Sequence, residues 1–129
     1  MKFDWSEYFN LAKELVETSE DAKLRSAVSR AYYSAFCLAR NYLRDIKKDP
    51  QLSGNKAHGI NPHQYVAKYF QDNQSKSQIM KEIGQDLRRL RTMRNKADYE
   101  DTIFNLQREA RTALKLADNI IALLSNLTE

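Results

Sequence analysis

Between residues 20 and 47 two apolar stripes run side by side along one helical stretch. Leu24, Val28, Ala31, Ala35, Leu38 and Tyr42 form the first; Tyr32, Phe36, Ala39 and Leu43 form the second. Steps of three and four residues place each set on one line of a helix, and together they cover more than half its circumference. A helix with so much apolar surface must be covered by several neighbours. This constrains the chain to a bundle with residues 20–47 at its centre. Ala27, Ala31, Ala35 and Ala39 recur every fourth residue. Side chains this small let a neighbouring helix approach closely. The remaining face carries Ser26, Arg30, Tyr33, Cys37 and Asn41, and is mixed rather than simply charged.

The rest of the chain agrees. It holds three glycines and two prolines, and nothing alternates with period two over a useful length. A first helix is expected over about 5–17, with Trp5, Tyr8, Ala12 and Leu15 on one face. Thr18 or Ser19 is placed to cap the second helix, whose first turn has Glu20 and Asp21. The connector DPQLSGNKAHG follows, long for a small bundle. Asn61-Pro62 then supplies a cap followed by proline at the first helical position of a short helix bearing Tyr65, Val66, Tyr69 and Phe70. QDNQSKS is a polar turn. Lys76 to Glu100 forms a fourth helical segment. In the last helix Ile103, Leu106, Ala110, Ala113, Ala117, Ile120, Leu124 and Leu127 keep the same rhythm without a break. The expected architecture is all-α: an up-and-down bundle of four long helices plus one short helix, as a single domain over 1–129. A chain of 129 residues buries roughly two-thirds of its unfolded surface, enough for a core without staples.

Composition excludes several functions. Hydrophobic residues make up 42%, and no apolar run approaches the ~20 residues of a spanning helix. The start MKFDWSEYFN has no long apolar core and does not read as a signal peptide. One cysteine, Cys37, rules out an internal disulfide. A cytoplasmic protein without a membrane anchor is expected. His58 and His63 are the only histidines and have no acidic or thiol neighbours at ligand spacing, so no metal and no other cofactor is expected. No glycine-rich phosphate loop and no nucleophile elbow occur. The net charge of +4 permits a nucleic-acid partner without demanding one.

The chemistry concentrates in RTMRNKADYE, residues 91–100. Met80, Ile83, Leu87 and Leu90 make an apolar stripe whose next positions are Arg94 and Ala97. A charge therefore stands where a core residue belongs. Arg88, Arg89, Arg91, Arg94 and Lys96 crowd together just ahead of Asp98. One reading is a solvated face whose Arg94 snorkels and pairs with Asp98, four residues on. The other is a groove in which Arg94, Asn95 and Tyr99 face Arg30 and Tyr33 across the second helix. Arginine offers a fork of donors that fits phosphate, and tyrosine a face for a base to stack on.

Two segments carry a resemblance. LRSAVSRAYYSAFCLAR and LRRLRTMRNKADYE are similar to the two most recognisable segments of HEPN-domain proteins. They resemble most the small stand-alone bacterial and archaeal members with an R-x-x-A-D-Y segment, here Arg94-Asn95-Lys96-Ala97-Asp98-Tyr99. The His58-Gly59 pair also resembles that group. The resemblance implies a helical bundle that forms homodimers. It implies either metal-independent endoribonuclease activity, as in toxin–antitoxin and defence systems, or noncatalytic binding of RNA or nucleotides. A small nucleotidyltransferase is an implied partner. In catalytic members a histidine follows the arginine by about four to six residues; here no histidine follows His63. The expected function is a noncatalytic or weakly catalytic binding module. Arg94, Asn95, Asp98, Tyr99, Arg30 and Tyr33 would bind RNA or nucleotide. Were the chain an active ribonuclease toxin, Arg94, Asn95, Tyr99 and His58 would be the catalytic candidates. A third possibility is a purely structural dimeric bundle.

Overall fold

The computed structural model describes residues 2–52, 59–71 and 77–127. Five α-helices follow in order: α1 (Ser6–Leu15), α2 (Asp21–Asn41), α3 (Pro62–Gln71), α4 (Gln78–Tyr99) and α5 (Leu106–Leu127). Among the described residues there is no strand, so the protein is an all-α bundle. The first helix ends at Leu15, two residues short of the expected bound at 17, and α1 and α3 are both ten residues long. The other three helices carry most of the length.

α2 occupies the centre that its two stripes require. It packs against α1, α4 and α5 and touches α3. Ala27, Ala31, Ala35 and Ala39 are all completely buried, which is how neighbouring helices come close along one side. Tyr32 and Leu43 fill the space beside them. Beyond Asn41 the helix does not stop but widens into a π-helical turn, Tyr42–Ile46. The amide of Lys47 donates to the Tyr42 carbonyl at 3.1 Å, five residues back. Lys48 then takes a left-handed φ of 57°, and the helix ends.

The caps are partly as expected. The Asn61 side chain accepts from the amides of His63 and Gln64 at 3.0 and 3.3 Å, and Pro62 opens α3. At α2 the expectation fails. Glu20 is the N-cap and makes no side-chain cap, because the Thr18 hydroxyl is used to accept from the Glu20 amide instead. The far end of α4 is held from outside the helix. The Arg25 guanidinium donates to the carbonyls of Ala97, Glu100 and Asp101 at 3.0, 2.6 and 3.1 Å. These carbonyls lie at or just beyond the end of a helix, where partners run out, and a cation there also suits the helix dipole.

Gly84 sets how closely α3 lies on α4. A Cβ built there would be 2.8 Å from the Ala67 carbonyl oxygen and equally close to the Gln71 backbone nitrogen. Backbone atoms cannot step aside as a side-chain end can. Gly84→Ala should therefore destabilise the fold by about 1–2 kcal/mol, an overpacking cost partly offset by alanine's better helix propensity. The urea midpoint of the variant checks this; an unchanged midpoint would mean that α3 can move off α4 without cost. The consequence matters for function, because the groove described next lies between these two helices.

Candidate functional site: an arginine-lined groove between α3 and α4

Arg94 answers the question posed by its stripe. Met80, Ile83, Leu87, Leu90 and Ala97 are buried, and so is Arg94, at 8% exposure. Its guanidinium carbon lies 5.3 Å from the ring centre of Tyr32 and 5.4 Å from that of Tyr33, both on α2. The aromatic faces replace part of the hydration a buried cation loses. Arg94 Nη1 is 3.6 Å from Asp98 Oδ2, one turn along the same helix. Both readings of the sequence are thus partly present: an ion pair at i,i+4, and a cation against the tyrosines of the second helix. One donor is left over. Arg94 Nε is buried with no hydrogen-bond partner among the described residues, and Arg91 Nε is in the same state. Orphaned buried donors are uncommon and ask for an explanation.

Arg91 opens onto a groove of about 500 Å³ between α3 and α4. His63 and Gln64 line it from the first turn of α3; Arg88, Arg91, Thr92 and Asn95 line it from α4. Among the described residues no carboxylate lines it. Arg88 and Arg91 carry positive charge there and the amides of Gln64 and Asn95 have N–H donors, a set that suits a phosphate or another oxyanion.

His63 is held by contacts from α2. Its ring lies 4.3 Å from the Phe36 ring centre, stacked at 24°. Tyr32 Oη is 2.5 Å from His63 Nδ1. Burial, followed by the positive charges of Arg91, Arg94 and Arg40, holds the imidazole down to about 4. His63 is therefore neutral at pH 7. Burial pushes the Tyr32 phenol well above its usual value, so it keeps its proton. The pair is a neutral hydroxyl on a neutral imidazole, set among cations.

The residues singled out in the sequence divide in two. Arg94, Asp98, Tyr33 and Arg30 come together: the Arg30 guanidinium stands 5.5 Å from the Tyr33 ring, with Arg94 also against that ring. Asn95, one residue on from Arg94, lines the groove with His63 instead. Tyr99 joins neither group; it is 77% exposed at the last residue of α4. His58 lies outside the described residues. Cys37 is 3% exposed and already covered by the fold. Sequence reasoning missed Tyr32, His63 and Arg91 as a set. A signal existed: a large tyrosine deep in a core stripe needs a polar partner for its hydroxyl, and His63 follows directly on the Asn61-Pro62 cap.

Among the described residues no group of three or more His, Cys, Asp and Glu is placed to hold a metal ion. Likewise no helix is long and apolar enough to cross a membrane.

A central helix with an alanine seam, and a groove with two arginines on its wall beside it, define the helical bundle. The model of the HEPN domain matches residues 6–127, nearly the whole chain, and the protein belongs to the HEPN domain family. Neither a curated protein nor a solved structure matches it.

Proposed function

We propose that this protein is a HEPN module that binds RNA or a nucleotide through its phosphates in the α3–α4 groove. One observation carries the reading: the groove gathers Arg88, Arg91, Asn95 and His63, with no carboxylate among the described residues that line it. Membership of the family is consistent with ribonuclease-like or nucleotide-binding roles. The groove favours binding as the common step. Arg91 is the principal contact, with a guanidinium at the groove and an Nε left without a partner. Arg94 acts from behind it, as a buried charge that raises the positive potential without touching the ligand. The family resemblance supports a homodimer working beside a small nucleotidyltransferase, in a toxin–antitoxin or defence setting.

The test is RNA affinity against salt for wild type, Arg91→Ala and Lys115→Ala, a charge change outside the groove on α5. Arg91→Ala should weaken binding by about tenfold at moderate salt and lower the salt slope by roughly one, as expected for one lost phosphate contact. Lys115→Ala should do neither. Equal effects from the two variants would mean that net charge, not the groove, attracts RNA. No binding by wild type would remove the reading altogether.

A further inference from the structure

Where the start of α1 lies against α2, a second set of arginines is held by aromatic rings. The buried Ser34 hydroxyl donates to the Trp5 carbonyl at 2.8 Å and fixes the two helices together there. Phe3, Trp5 and Tyr8 form a cluster of three rings, each pair meeting edge to face with centres 4.8 to 5.5 Å apart. Two arginines of α2 reach these rings. The Arg30 guanidinium carbon is 4.6 Å from the Tyr8 ring centre, and that of Arg40 is 5.5 Å from the Trp5 ring centre. Phe3 is 45% exposed, and Leu11, three residues past Tyr8, is exposed as well. None of these residues lines the α3–α4 groove.

The two guanidiniums keep donors to spare. Arg30 makes one long bond, to the Ser29 hydroxyl at 3.4 Å, and Arg40 gives two to Asn41 Oδ1, at 3.0 and 3.2 Å. A guanidinium has more N–H donors than these bonds use. Among the described residues neither arginine forms an ion pair. The carboxylates close by in sequence are engaged elsewhere: Asp4 accepts from the amide and hydroxyl of Ser6, and Asp45 pairs with Arg44 and Lys2.

We propose that this α1–α2 face docks an acidic segment of a partner protein, whose carboxylates bond the forks of Arg30 and Arg40 and whose apolar side chains cover Phe3, Trp5 and Leu11. Partly exposed aromatic rings set among arginines are the composition of protein interface cores. Charge complementarity sets the sign of the occupant, because cations without counter-ions fit carboxylates bidentately. The ring arrangement selects a protein over a nucleic acid. A base stacks on an open ring face, and here Tyr8 and Trp5 are met by guanidiniums and by each other's edges. The rings also hold the cations in place beforehand, so less side-chain freedom is lost on docking. Ten residues of α2 separate the two arginines, about 15 Å at about 1.5 Å per residue. The partner's acidic groups are therefore spread over about three turns of a helix or about five residues of an extended strand. The face and the groove are independent: either can fail to bind while the other holds.

A phage-displayed library of random peptides, selected on the full chain and counter-selected on the double variant Arg30→Gln, Arg40→Gln, tests the face. Peptides that survive should be rich in Asp and Glu beside apolar residues. Synthesised without tryptophan, they should change the emission of Trp5, the one tryptophan of the sequence. Replacing one of their acidic residues by its amide should weaken binding by about tenfold, the loss expected of one charged hydrogen-bonded pair. That comparison uses wild-type protein throughout, and it decides the matter if the double variant does not fold. An oligoribonucleotide added as competitor should leave the peptide bound, and the double variant should lose less RNA affinity than Arg91→Ala does. Survivors without acidic enrichment, survivors that leave Trp5 emission unchanged, or no survivors at all overturn the docking role. RNA that displaces the peptide, with RNA affinity in the double variant reduced as far as in Arg91→Ala, assigns the face to nucleic acid and overturns it too.

Discussion

Between pH 7 and pH 4.5 the free energy of unfolding should fall by about 1.5 kcal/mol, and most of that fall should be absent in His63→Gln. The sign follows from His63. Its folded-state value, about 4, lies below the ordinary 6.5. Between those values the unfolded chain binds a proton that the folded chain refuses. Stability therefore rises with pH across this window, is complete above 6.5, and is lost as pH falls toward 4. Taken whole, the gap corresponds to about 3.4 kcal/mol at about 1.36 kcal/mol per pH unit. His63 is only half-buried, and solvent screening brings the usable part to about half. Two carboxyls that the fold holds low act beneath this window. The hydrogen bond from Arg44 holds the Asp45 carboxyl at about 2, and the Ser6 hydroxyl lowers that of Asp4. Their contributions disappear below 3.8, beneath the range in question. Urea melts at a series of pH values, for wild type and His63→Gln, provide the measurement. His58 is present in both proteins, so the difference between them belongs to His63. Parallel curves would mean that the ring is free to take its proton in the folded state.

The fold was legible because its determinants are local. Three- and four-residue spacing marks α2, α4 and α5, the two stripes that cover more than half of α2 require it to be central, and its alanines at 27, 31, 35 and 39 are buried. The Asn61-Pro62 start of α3 has a simple local cause: an amide side chain beside two free backbone N–H groups. The cap of α2 failed for an equally local reason, since Thr18 had a nearer amide to bond. The π-turn at Tyr42–Ile46 left no mark in the spacing, because one widened turn shifts an apolar stripe by a single residue. The site was only half legible. Arg94 and Asp98 lie on one helix, and their pairing follows from a four-residue step. Tyr32 and His63 lie 31 residues apart on helices joined by a long connector, and no periodicity relates them. Asn95 and Tyr99 show the same limit from the other side. Both were grouped with Arg94 by closeness in sequence. Yet a helix turns about 100° per residue, and that rotation carries Asn95 to α3 while Tyr99 reaches solvent.

Arg94→Ala should cost about 2–3 kcal/mol of stability, whereas Arg94→Met should cost about 1 kcal/mol or less. The alanine variant leaves a hole where a long stem filled the end of the α4 stripe, between Leu90 and Ala97 and against the tyrosines of α2. Methionine fills most of that volume and suits an aromatic wall. What methionine lacks is the charge. That charge gains from two ring faces, at 5.3 and 5.4 Å, and from Asp98 at 3.6 Å. Against this stands the desolvation of a guanidinium at 8% exposure with one donor unpaired. These opposing contributions nearly cancel, as they do for many buried ion pairs. Asp98 keeps 28% of its side chain in solvent and tolerates the loss of its partner. Urea melts of the three proteins measure the stability side. RNA affinity measures the other, and there the two variants should agree, each weaker by about threefold to fivefold, because both remove one charge behind the groove and neither removes a direct contact. A methionine variant as unstable as the alanine one would mean that the charge itself joins α4 to α2. A near-wild-type methionine variant with weakened RNA binding would mean that the fold could have carried an apolar residue at position 94, and that the positive potential of the groove is what an arginine there supplies.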